Sequence, residues 1–219
     1  MRTLLMLVPE HPVLTGFVTL VILAWLSPIL LGAVFIRERQ VGIVVKKFGV
    51  QSLPPGRLIA LAGEAGYQAD TLPPGLHFGY FRWQYRVNKA TVTVVPQGEI
   101  AVVVAADGAP IPSERILGQV VDCDNFQDAR KFLANGGEKG RQLGILTAGV
   151  YRINSAQFTV ITSINAPENG MAPEQLLLQH VHPDMVGIAT ALDGRPIEAT
   201  EIAGPVIADH TASRMRKRS

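Results

Sequence analysis

The chain has 219 residues, 47% of them hydrophobic, with 20 Lys and Arg against 18 Asp and Glu for a net charge of +2. That length holds one large domain or two small ones around a sizeable core, and so small a net charge argues against nucleic acid as a partner. Cys123 is the only cysteine, which excludes an intramolecular disulfide and is neutral between compartments.

In chain order, a short N-terminal segment (1–12) precedes an uncharged run of 23 residues from Val13 through Trp25 to Phe35. A run of that length predicts a transmembrane helix over 13–36, with Pro28 and Gly32 tolerated inside it. A cleaved signal peptide fits less well, because Pro9 and Glu10 occupy an n-region whose one basic residue is Arg2, and the apolar run is too long for an h-region. A buried core helix is the third reading. Arg37, Arg39, Lys46 and Lys47 follow the run, so the positive-inside rule places the rest of the chain in the cytoplasm.

Beyond the run the pattern changes to short apolar segments punctuated by Gly and Pro, which predicts β-strands joined by tight turns. The tetrapeptide Leu-Pro-Pro-Gly occurs at 53–56 and again at 72–75, 19 positions apart. Two ring-locked residues impose an extended approach and Gly56 or Gly75 turns the chain into an apolar segment. The pair brackets a hairpin-like excursion from Arg57 to Thr71. Gly149 of "TAGVYRI" starts a weaker version of the same device.

"EIAVVVAADG" from Glu99 and "MVGIATALDG" from Met185 resemble one another, and at a fixed offset of 86 the likeness extends without gaps over seven identities. These pair Asp107, Gly108, Pro110, Ile111, Ile116, Gly118 and Val120 with Asp193, Gly194, Pro196, Ile197, Ile202, Gly204 and Val206. Each copy reads as a strand that ends in an Asp-Gly turn, with Gly supplying positive φ, and a Pro-fixed return. Between the first copy and "TAGVYRI" a helix is predicted from "DCDNFQDARKFLANGG", capped by Asp124 or Asn125 and ended by Asn135 and Gly136. Its apolar stripe of Phe126, Ala129, Phe132 and Leu133 suits packing against a sheet.

Candidate chemistry is sparse. His180 and His182 would lie on one face of a strand, but no third ligand is fixed beside them, so no metal is expected. Cys123 stands between Asp122 and Asp124, which raise a thiol pKa, and so suits a buried small hydrophobe. "NGGEKGRQLG" lacks the order of a phosphate loop and suits a helix-ending turn.

"VGIVVKKFG", then "LPPGLHF", "PQGEIAVVVAADG" and "TAGVYRINSAQFTVI", in that order after an apolar run, resemble the SPFH (Band 7) superfamily of stomatins, prohibitins and flotillins, above all its bacterial flotillin-like members. The likeness covers roughly residues 36–207. It implies an α+β fold: a transmembrane helix, an SPFH-like domain (37–162) of repeated strand-turn units with at least one packed helix, a second, incomplete copy of the unit (163–209) and a basic tail (210–219). It further implies a non-enzymatic scaffold at the bacterial inner membrane, without cofactor, that homo-oligomerises and organises microdomains with lipids and membrane proteins as partners. Leu76, Phe78, Tyr80, Phe81 and Trp83 then fit a surface at the lipid interface, although ordinary core suits the aromatics equally. The chain stops at "IADHTASRMRKRS", where such relatives continue. This leaves open a truncated or interfering fragment, or a non-catalytic accessory subunit of a membrane protease.

Overall fold

The computed structural model describes residues 12–186. Residues 1–11 and 187–219 lie outside the described residues, and with them Asp193, Gly194, most of the second repeat copy and the basic tail. The element order is α1 (Pro12–Leu30), β1 (Val34–Ile36), β2 (Gln40–Lys46), β3 (Ile59–Ala60), β4 (Gly66–Leu72), β5 (Gly75–His77), β6 (Tyr85–Thr91), β7 (Thr93–Val95), β8 (Ala101–Ala105), α2 (Ala129–Ala134), β9 (Gly140–Leu146), β10 (Gly149–Tyr151) and β11 (Phe158–Ile161), followed by two 3-10 turns.

The expected membrane span is not formed. Among the described residues, no helix is long and apolar enough to cross a membrane. This overturns the transmembrane segment over 13–36 and the single-pass inner-membrane placement built on it. The apolar run is continuous in sequence but divided in structure. α1 stops after 19 residues, at Leu30. Gly32 then takes a left-handed φ of 60°. A Cβ there would meet the backbone of Tyr80 and Phe81 at 2.7–2.8 Å, so this tight approach admits only glycine. The last two residues of the run, with Ile36, form β1, antiparallel to β5 with Phe35 opposite Leu76. An apolar stretch by itself does not separate helix from strand.

Nor is the architecture evenly α+β. Among the described residues eleven strands stand against two α-helices, and the second of these has six residues. One sheet runs β3-β4-β2-β6, another β11-β8-β9, and two-stranded ribbons join β1 to β5 and β7 to β10. The excursion bracketed by the two Leu-Pro-Pro-Gly turns is not a hairpin, since β3 and β4 pair in parallel.

β8 shows why the body is β-rich. Its sequence Ala-Val-Val-Val-Ala is apolar at every position, as a strand covered on both faces requires. Ala101, Val103 and Ala105 face the main core, which holds Phe126, Phe132 and Phe158. Val102 and Val104 face a second cluster with Ile161, Ala166 and Leu176, supplied by β11 and the 3-10 turns. A third cluster, of Ile36, Val44 and Leu72 with Tyr80 and Tyr85, packs β1 against the four-stranded sheet.

The predicted soluble helix exists but starts later. Asp128, not Asp124 or Asn125, caps it by accepting from the Lys131 N–H. Asp124, Asn125 and Phe126 instead have φ of 52°, 51° and 62°, conformations that L-residues adopt at a cost. This left-handed turn carries the Phe126 ring into the core, where it lies 5.4 Å from Phe158 and 6.1 Å from Phe132 between ring centroids. Phe132 and Phe158 meet edge to face at 5.0 Å. The stripe of Phe126, Ala129 and Phe132 is buried, and burial of such rings dominates the energetics of a core this size.

Candidate functional site

The five residues expected at a lipid interface split into two sets. Leu76 on β5 shares a face with its cross-strand neighbour Phe35, and each is 57% exposed. Phe78 and Trp83 are likewise exposed, Trp83 at 67%, and Trp83 stacks on Phe81 with centroids 6.4 Å apart. Tyr80 turns inward: its ring packs edge to face on Tyr85 at 5.5 Å within the cluster of Ile36, Val44 and Leu72. Burial holds its hydroxyl above the usual tyrosine range.

Backbone hydrogen bonds tie this loop to the end of α1. The Gly79 N–H donates to the Leu31 carbonyl at 2.9 Å and the Tyr80 N–H to the Gly32 carbonyl at 3.0 Å. Phe35, Leu76, Phe78 and Trp83 therefore adjoin a helix that exposes its own apolar side chains in all directions. Val13 and Trp25 are exposed, and so are the four consecutive residues Leu20, Val21, Ile22 and Leu23, which at 100° per residue point to every side. This end of the molecule is rich in exposed apolar side chains.

The turn residues of the two Leu-Pro-Pro-Gly corners and of the first repeat copy have a different role. Gly56 (φ 83°), Gly75 (φ 134°) and Gly108 (φ 152°) have positive φ, as turns there require. Asp107 is buried, and its carboxylate accepts from the backbone N–H of Leu58 at 2.8 Å, of Ile59 at 2.9 Å and of Gly108 at 2.7 Å, with Arg57 paired at 3.3 Å. The Asp-Gly turn thus fastens the chain leaving the first Leu-Pro-Pro-Gly to the end of β8. Composition did not reveal this anchor, because it joins segments 48 to 50 positions apart. Glu138 was missed in the same way. It is buried, pairs with Arg115 and accepts from the Gln119 N–H at 2.8 Å. The Gln119 amide first, and then Arg115, holds its carboxyl below the usual range.

His180 and His182 are exposed in a segment without strand structure. Among the described residues no group of three or more His, Cys, Asp and Glu is placed to hold a metal ion. Cys123 is buried, and burial pushes its thiol up, with Asp122, Asp128 and Asp124 adding to the effect. "NGGEKGRQLG" does end α2: Gly136 has φ 76° and the Gly137 N–H donates to the Phe132 carbonyl at 2.8 Å.

No family model, no curated protein and no solved structure matches the chain. The likeness to the SPFH superfamily therefore rests on the quoted motifs alone.

Proposed function

We propose that this protein is a non-enzymatic scaffold that assembles with copies of itself and meets lipid and protein partners at its apolar end. The reading draws on the order of motifs that resemble SPFH proteins, and one structural observation carries it: Phe35, Leu76, Phe78 and Trp83 gather beside α1, exposed together. A contiguous exposed apolar surface marks a site of association. Aromatic and large aliphatic side chains are also what interface centres are made of.

The test is light scattering after gel filtration, on the chain as it stands and on a Phe35→Ser/Leu76→Ser/Trp83→Ser variant. A large homo-oligomer that falls to smaller species in the variant, with the thermal transition retained, supports the reading. A folded monomer for the unmodified chain across the accessible concentration range overturns self-assembly.

A further inference from the structure

Beside the apolar end lies a cleft of about 510 Å³ between the turn that follows α1 and β6. Its wall contains Lys47, Arg82, Arg86 and Lys89 and no Asp or Glu. Tyr80, Tyr85 and Phe35 also line it.

The four cations, all exposed, take part in none of the ion pairs among the described residues. Ion pairs among the described residues join Arg57 to Asp107, Arg115 to Glu138, Arg130 to Asp70 and Lys131 to Asp128, and none uses a cleft residue. The Lys47 ammonium is held in place by donating to the Arg82 carbonyl at 2.6 Å. The same stretch is braced by the Lys47 N–H on the Gln84 carbonyl and the Tyr85 N–H on the Phe81 carbonyl. In a chain whose net charge is +2, four positive charges without an ion-pair partner around one cavity favour anions there.

The geometry points to a phosphate-binding cleft. Two guanidinium forks and two ammonium groups suit a group with several equivalent anionic oxygens, since Arg recognises phosphate in bidentate fashion and Lys adds point charge. A phosphate seated there has Phe35 at one side and the exposed Leu76, Phe78 and Trp83 nearby, so an attached apolar chain finds matching surface. The shared chemistry is a phosphate ester, and its source is either a lipid headgroup or a soluble ester. This site goes beyond the scaffold reading and does not require self-assembly.

The experiment uses the full chain with three probes: vesicles of phosphatidylcholine alone, vesicles that also contain phosphatidylglycerol, and inorganic phosphate. Vesicle binding is read by co-sedimentation and phosphate binding by calorimetry. Each is repeated for Arg82→Gln/Arg86→Gln and for a control of equal charge change away from the cleft, Arg141→Gln/Arg152→Gln. The cleft variant is expected to bind the anionic probe, phosphatidylglycerol vesicles or inorganic phosphate, about tenfold more weakly or worse, and the control to change it by less than about twofold.

Cleft-dependent binding of phosphatidylglycerol vesicles identifies a lipid headgroup as the source. Cleft-dependent binding of inorganic phosphate without vesicle binding identifies a soluble ester. An equal loss in both variants, or no binding of either anionic probe, overturns the site. Light scattering on the cleft variant separates the two readings: an unchanged oligomer with lost anion binding shows that assembly and the cleft are independent.

Discussion

The body around α2 and the end beside α1 draw on similar apolar side chains and use them in opposite ways. In the body, Phe126, Phe132 and Phe158 interlock, and Phe132 and Phe158 are at most 2% exposed. At the other end Phe35 and Leu76 stand in the open on a ribbon of two three-residue strands, and Phe78 and Trp83 in the segment that follows it. A two-stranded ribbon covers nothing by itself. Burial thus separates residues that hold the fold from residues available to partners, where residue type does not.

Substitutions in the two regions should behave accordingly. The largest effect is expected from Phe132→Ala, which removes a fully buried ring and leaves a cavity, at a cost of about 3–5 kcal/mol in urea unfolding. A loss below about 1 kcal/mol would show that the body is loosely packed. Asp107→Ala comes next: it strands the N–H groups of Leu58 and Ile59 and the Arg57 guanidinium, for a loss of about 2–4 kcal/mol, with Asp107→Asn recovering part of it. An unchanged midpoint for Asp107→Ala would remove the proposed link between the first Leu-Pro-Pro-Gly segment and β8.

A smaller effect is expected from acid. Asp70, held low chiefly by the Arg130 side chain, and Glu138, held low chiefly by the Gln119 amide, both have folded pKa values below their ordinary ones. A carboxyl lowered in this way adds stability that is present above its unfolded pKa and is lost as pH falls through the folded value. Urea midpoints should therefore be level near neutrality and decline below about pH 4.5, and Glu138→Gln should make that decline shallower. A decline of equal slope in the variant would remove Glu138 from the account. The smallest stability change is expected from Trp83→Ala at the apolar end, within about 0.5 kcal/mol, while association in light scattering weakens. A large stability loss there would mean that Trp83 is part of the core.

What could be read in advance followed from local chemistry. The strands and turns were legible because alternation, β-branching, Pro and Gly act within a few residues, and Gly56, Gly75 and Gly108 do have positive φ. The strand after Gly149 and the buried stripe of Phe126, Ala129 and Phe132 were legible for the same reason. The start of α2 was not, because burial of the Phe126 ring overrides the caps offered by Asp124 and Asn125 and forces a left-handed turn. Of the candidate site, the aromatic cluster was visible as composition, but the inward turn of Tyr80 depends on packing with Val44 of β2 and Leu72 of β4, while Trp83 stays exposed.

The sequence by itself determined a β-rich chain with rigid Pro-Gly corners, one core-facing helix and a long apolar N-terminal run, since each depends on neighbours along the chain. Only the tertiary structure decided that the run divides at Gly32 into a helix and a strand, because that division requires the backbone of Tyr80 and Phe81 to pack against Gly32. Only the tertiary structure brought Asp107 to Leu58, and Lys47 to Arg82, Arg86 and Lys89. Such contacts join positions separated by tens of residues, and their strength depends on burial and charge that no local pattern contains.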